Sequence, residues 1–444
     1  MHTVETRSIT SGITLTCVRT DKFRTGCISV NIISALKRET AALSVLLTRV
    51  LRRGTSNHPD MESLSAALDE LYGARVEPLV KKKGELHSVG FYADFPDSII
   101  LPDSDDLLEK TFTLLGDVLL SPYMHEGNLC PDYTESEKSN LIDDINAAIN
   151  DKRTYSVNRL LKEMCCNEAF GLSRLGEEED VESITPEMLT KHHKNLLSSS
   201  RIEILYCGAA ETDRIESALC KALQKMPKRT DISIPKTKVI LYPEVSPPRR
   251  FSEALDISQG KISIGFRLGK FMETSAGKPV PDFPALFVFN SLYGGSATSK
   301  LFLNVREKLS LCYYASSMID REKGVMIVTS GVDFASFDAT LNEILAQLDC
   351  IKNGQIEEWE LLSAKRAVTT SIKAAMDRPG GLEDLYFNNL VASYKYDPAE
   401  LCALIESVTP ERVIEASSDI SLDAVHFLTQ ATDSDDRVRS SLQP

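Results

Sequence analysis

Arg306 and Tyr313 stand seven residues apart in the stretch LYGGSATSKLFLNVREKLSLCYYASS (292–317), and the pair suits one kind of chemistry. Peptide hydrolysis builds negative charge on a carbonyl oxygen, which a fixed phenol and a guanidinium can meet with charge-assisted hydrogen bonds. Arginine also grips a backbone carbonyl from its planar fork. Neither residue activates water at neutral pH, so the two make half of a site. Taken singly, most arginines and tyrosines are only surface and packing, and Arg306 beside Glu307 or Tyr313 as a half-buried strand aromatic fits that description.

The elements that must position them follow from spacing. Gly294 and Gly295, then Ser296 and Thr298, read as a tight turn into a helix N-cap. Leu301, Phe302, Val305 and Leu309 recur at helical spacing and predict one buried stripe. Ser310 breaks the pattern. Leu311, Tyr313 and Ala315 then alternate with Cys312, Tyr314 and Ser316, the period of a strand. Helix, turn and strand in that order can bring the phenol back near the guanidinium.

With 444 residues the chain is long enough for two or three cored domains. A net charge of −14 argues against a nucleic-acid binder, which needs a basic face. No apolar run approaches membrane-spanning length, and MHTVETRSITSGITLTCVRT reads as a strand pair rather than a signal or transit segment. Ten cysteines are scattered without a C-x-x-C pair, as expected of free thiols in a reducing cytoplasm. The expectation is a cytoplasmic protein with no membrane and no nucleic-acid partner.

Strand, helix, helix, strand, helix occurs twice at an offset of roughly 230 residues. The first copy runs through 26–34, 39–53 (Thr40 as its cap, Gly54 closing it), 63–74, 85–95 and 107–122. The second runs through 260–269, 283–295, the opening stretch, 323–333 and 337–354. Both end in mostly helical segments, including 134–170 and 182–197, the latter with Thr185 as cap and Pro186 in its first turn. Five prolines in 226–250 mark a linker between domains at 1–225 and 251–444. The predicted class is α+β: two homologous halves, each a mixed, mostly antiparallel sheet with helices packed on one face. The tail 433–444 is expected to fray.

The string G-G-x-x-[ST]-[KR]-L-F-x-x-V-R-E-K-x-x-L-x-Y resembles the C-terminal half-motif of the pitrilysin and mitochondrial-processing-peptidase family. The resemblance implies a half-clamshell fold. It also implies that Arg306 and Tyr313 hold a substrate peptide and face a zinc-bound water across a cleft. Ser310 stands where the family usually has glycine. Active members carry H-x-x-E-H on the helix that ends in L-x-x-G-T, here Leu51 to Thr55. Counting back, those five positions are Val45, Leu46, Leu47, Thr48 and Arg49. None is a zinc ligand or a general base. The family's distant glutamate ligand falls on the helix matching 135–149, where Asp143 and Asp144 are nearest. No H-E-x-x-H or H-x-x-E-H occurs in the chain, and His192–His193 read as a solvated helix face.

LDELYGARVEPLVKKKGELHSVGF and INDKRTYSVNRLLKEMC further resemble the non-zinc bacterial subunits of this family, often encoded beside a zinc-bearing relative. The mitochondrial non-catalytic subunit has a long glycine-rich loop where 269–283 here holds two glycines, which argues against a presequence-reading role. The resemblance implies a subunit inactive alone and without a cofactor of its own. Paired with a zinc-bearing H-x-x-E-H paralogue in a heterodimer, it would supply Arg306 and Tyr313 in trans for peptide or leader-peptide cleavage. The alternative is an inert scaffold or peptide-binding protein of the same fold. Retention of both Arg306 and Tyr313 favours the first, because a scaffold needs neither.

Overall fold

The computed structural model describes residues 2–97, 107–230, 232–273, 281–392 and 395–431. The tail 433–444 and positions 274–280 of the 269–283 loop lie outside them. Among the described residues no helix is long and apolar enough to cross a membrane.

The chain forms two compact units, and neither is a contiguous stretch. The first comprises 1–147, 172–236 and 374–393; the second comprises 148–171, 237–373 and 394–444. In the first, the described residues form a six-stranded sheet ordered Thr3–Thr10, Ile13–Arg19, Arg201–Gly208, Thr25–Ala35, Leu86–Pro96, Arg75–Lys83. Only Ile13–Arg19 and Arg201–Gly208 pair in parallel; the other neighbours are antiparallel.

The two-residue period of Thr25–Ala35 divides its side chains between two cores. Ile28, Val30 and Ile32 pack with Val45, Leu46 and Val50 of the helix Arg38–Leu51 and with Phe112 and Leu115 of Leu107–Leu120. Cys27 and Ile33 face the other way, against Leu382, Tyr386 and Phe387 of the helix Pro379–Val391. Between them lie polar residues that the helix must match. Glu383 accepts from Ser29 Oγ (2.7 Å) and from Lys81 Nζ (3.0 Å), and Asn31 bridges Ser29 and Ser88.

The second unit has a five-stranded sheet among the described residues, ordered Tyr314–Asp320, Val325–Val332, Gly260–Arg267, Ser421–Gln430, Arg249–Leu255. Its order repeats that of the first unit without the N-terminal edge strand, again with one parallel pair. The duplication expected from the sequence is thus present in the topology. The turn entering the corresponding edge strand is left-handed in both copies: Gly73 (φ 75°) before Arg75–Lys83, and Ser310 (φ 51°) before Tyr314–Asp320.

Here too a helix remote in sequence, Lys152–Met164, packs on one sheet face. Gly265 makes room for it, since a Cβ there would sit 2.3 Å from Met164 Sδ. Ser156 bonds Ser263 (2.8 Å) and His426 (3.2 Å). Beyond the helix, Glu168 meets Arg267 at 2.5 Å and Lys323 at 2.6 Å, while Asp423 meets Arg267 at 2.7 Å and Arg249 at 2.9 Å. Burial works against the charge of Glu168, but the hydrogen bonds of Arg267 and Lys323 outweigh it and hold its pKa below the ordinary carboxylate value.

Helix ends depart from expectation in places. Thr185 does cap Pro186–Ser199, accepting from Met188 N. Thr40 caps nothing: the helix begins at Arg38, with Lys37 as an N-cap that makes no side-chain bond. Gly54 does not close that helix by a left-handed turn. It lets Pro59 approach, and a Cβ there would lie 2.3 Å from Pro59 O. The sequence reading also passed over the strand Arg75–Lys83, whose Pro78 and three lysines disguise a sheet edge.

Removing one member of a buried charge network costs about 3–5 kcal/mol, so Glu168→Gln should lower stability at neutral pH by that order. The folded pKa of Glu168 lies below its unfolded value, so its contribution is complete above the unfolded pKa and is lost as pH falls through the folded one. Denaturant titrations of both proteins from neutral to acid pH should therefore converge. A constant gap would contradict this assignment.

Candidate functional site

The motif of 283–317 is built on a helix that widens. Asp282 caps Phe283–Asn290 by accepting from Ala285 N, and Pro284 occupies the first turn. The chain continues as wide i→i+5 turns through Ser291–Gly295, and again through Leu301–Lys308. Such turns are rare and concentrate at functional positions. Tyr293 is buried, stacks on Phe289 and donates to Ile344 O (2.9 Å). Gly294 packs on the following strand, with a Cβ position 2.7 Å from Ser317 N. Ser296 and Thr298 are not the caps expected of them. Ser296 donates to Ser291 O, and Ser299 accepts from Phe302 N instead. Lys300 and Glu360 form a buried pair at 2.8 Å that fixes the segment, a role the spacing did not reveal.

Leu301 and Val305 are fully buried, as the stripe requires, but Leu309 is 45% exposed. Arg306 lies 4.7 Å from the Phe302 ring centroid and 3.3 Å from the Glu307 carboxylate, with its side chain 40% exposed. Tyr313 is 58% exposed. Its backbone is fixed by a bond from its N–H to Gly331 O (2.8 Å), and its hydroxyl donates to Asp333 Oδ1 (3.0 Å). That bond raises the phenol pKa. The structure therefore gives each residue its own partner, and no hydrogen bond or ion pair joins Arg306 to Tyr313 among the described residues. Asp333 was missed in the sequence. Its signal is position: it follows the buried strand Val325–Val332, whose Gly331 carbonyl accepts from Tyr313 N–H.

The positions at which the resemblance would place the metal signature lie on Arg38–Leu51. Val45, Leu46, Leu47 and Thr48 are buried. Thr48 Oγ1 donates to Val45 O at 2.9 Å. Arg49 reaches Asp144 at 2.6 Å, and one turn on Arg53 meets Glu137 at 3.2 Å. These residues do not fit zinc. Val45 has no donor atom, Thr48 is turned to its own helix, and Arg49 is itself the cation that the nearest carboxylate binds. Among the described residues, no three His, Cys, Asp or Glu side chains are grouped to hold a metal ion.

His192 and His193 are not a solvated face. His193 is 9% exposed and bonds Leu119 O (2.7 Å), while His192 bonds Ser44 (2.9 Å). Burial lowers the pKa of both, that of His192 to about 4. The two rings do point apart, as adjacent helix positions require, but each is anchored in the fold.

Ser310 holds a left-handed φ that costs a non-glycine residue about 1–2 kcal/mol. Ser310→Gly relieves that strain and loosens the unfolded chain, for a net gain of about 0.5–1 kcal/mol. Thermal unfolding should show a midpoint raised by a few degrees; a lowered midpoint would mean that the serine side chain holds the turn.

Residues 183–368 match the family description "peptidase M16 inactive domain". Over 424 residues the chain is 34% identical to a protein of Bacillus subtilis (strain 168) described as "probable inactive metalloprotease YmfF", covering 96% of this chain and 97% of that one. A conserved protein from Enterococcus faecalis V583 has the same fold at a TM-score of 0.85 with 26% identity, covering 97% of this chain and 99% of the other. A peptidase M16 inactive domain from Pseudomonas fluorescens follows at 0.74, with 16% identity and coverage of 97% and 98%. This likeness over nearly the whole length leads to one conclusion: the chain belongs to the M16 peptidase family, as one of its inactive homologues.

Proposed function

We propose that this chain is the non-zinc subunit of a two-chain zinc metallopeptidase, holding a peptide for a partner that carries H-x-x-E-H. One observation carries the reading. The chain whose metal positions have become Val45, Thr48 and an ion-paired Arg49 still exposes Arg306 and Tyr313 on a motif held by buried neighbours. In this reading Arg306 grips the peptide backbone, and Tyr313 exchanges Asp333 for the oxygen that gains charge. Until then Asp333 orients the hydroxyl, and its hydrogen bond and charge raise a phenol pKa that already lies above neutrality. The hydrolytic water and its base belong to the partner.

A second reading, an inert scaffold or peptide-binding protein, is favoured by the same bonds seen differently. Tyr313 and Arg306 already have intramolecular partners, Asp333 and Glu307, and so can serve structure alone.

Co-expression with candidate zinc-bearing relatives separates the readings. The chain purified alone is expected to hold no stoichiometric zinc and to cleave no peptide, while the right relative should elute with it one-to-one and bring the metal. In that complex Tyr313→Phe removes one hydroxyl and almost no volume, so assembly persists while kcat falls roughly 10²–10³-fold, the range for losing one such donor. Arg306→Ala should also raise KM. Full activity in an assembled double variant would leave the scaffold reading standing.

A further inference from the structure

In the second unit, the strand Tyr314–Asp320 forms a sheet edge with Met318 54% exposed, and the helix Lys152–Met164 reaches it through a side-chain hydrogen bond. Arg153, in the first turn of that helix, is exposed but pinned. Its guanidinium donates to Ser316 Oγ (2.6 Å) and lies 4.6 Å from the centroid of the Tyr314 ring. The ammonium of Lys261 is 5.8 Å from the same centroid. The register explains why. Tyr314 and Lys261 both pair with Gly331, and the absence of a side chain there lets the ring lie across, since a Cβ would meet Tyr314 Cε1 at 2.5 Å.

Two cations therefore flank one ring, and no carboxylate pairs with either among the described residues. The nearby acids spend their hydrogen bonds on other partners. Asp151 caps the helix, accepting from Arg153 N, Thr154 N and Thr154 Oγ1, although its charge is also felt by Arg153 and Tyr314. Glu253 accepts from Tyr155 and Arg159. Among the described residues, Lys261 bonds the neutral amide of Gln259, and burial lowers its pKa. Among them too, the buried Tyr314 hydroxyl has no hydrogen-bond partner.

We propose that Arg153, Lys261 and Tyr314 form a carboxylate-binding subsite that takes an acidic group of a peptide. A carboxylate there receives the free edge of the guanidinium fork and adds a negative charge beside the partly buried Lys261 ammonium, and a small ring adjustment brings the orphan hydroxyl to it. The choice of a peptide as ligand rests on the function proposed above; the anion preference rests on these three residues.

The test uses the full chain alone and fluorescence anisotropy of short rhodamine-labelled peptides. One carries an acidic side chain and an amidated C-terminus, one is neutral with a free C-terminus, and one is neutral and amidated. The wild-type chain should bind one or both carboxylate-bearing peptides more tightly than the third, and which of the two it prefers identifies the source of the carboxylate. Arg153→Gln should weaken that binding about tenfold or more, the scale of a lost charge-assisted contact, with the neutral amidated peptide unchanged. Arg153→Lys should retain part of the affinity, and Tyr314→Phe should reduce it without changing charge. Unchanged unfolding midpoints confirm that each variant is folded. Equal affinities for all three peptides, no binding up to about millimolar concentration, or an Arg153→Gln variant that binds like wild type would each overturn the proposal. Arg306 and Tyr313 are intact throughout. An inert Tyr313 in the reconstituted complex would therefore sink the catalytic reading while leaving this one to its own result.

Discussion

A sheet face that carries polar groups can be covered only by a helix that returns matching ones, and this constraint organises both units. Each unmatched buried donor or acceptor costs about 1–3 kcal/mol, so the covering helix must arrive in one position. In the first unit Glu383 meets Ser29 and Lys81. In the second, Ser156 meets Ser263 and His426, and Glu168 ties Arg267 to Lys323. Apolar packing alone would allow these helices to slide or rotate. Paired charges and hydroxyls do not.

The same logic applies between the helices Arg38–Leu51 and Pro131–Ala147. Arg49 bridges to Asp144, and Arg53 to Glu137 one turn away. Arg49 is 20% exposed and Asp144 59%, so the pair contributes little to stability, about 1 kcal/mol or less. Its effect is chemical. A guanidinium fixed beside that carboxylate leaves neither a ligand set nor a site of the right charge for a divalent ion.

Much of this was legible in the sequence because periodicity reports burial directly. The buried stripe of Leu301 and Val305, the strand at 26–34, and the Thr185–Pro186 cap are local signals, and the structure realises them. What escaped the sequence depended on distant partners. His192 and His193 look like solvated polar residues until Ser44 and Leu119 are brought against them. Lys300 looks like a surface lysine without Glu360, and Tyr313 like an unattached phenol without Asp333. Ser310 was visible as a departure from glycine, but only its φ of 51° says what the glycine would have been for.

The chain leaves the ribosome from one end, and the division of each unit between distant segments then sets an order of events. All strands of the first sheet exist once residue 208 has been made, yet the helix that covers one of its faces spans 379–391. Until then that face meets water. Ser29, Asn31 and Ser88 lie on it among apolar Cys27, Ile33 and Leu205, and such hydroxyls and amides interrupt a surface that, if wholly apolar, would recruit other chains more strongly. The polarity that later selects the right helix thus also limits the unbroken apolar area exposed before that helix is made.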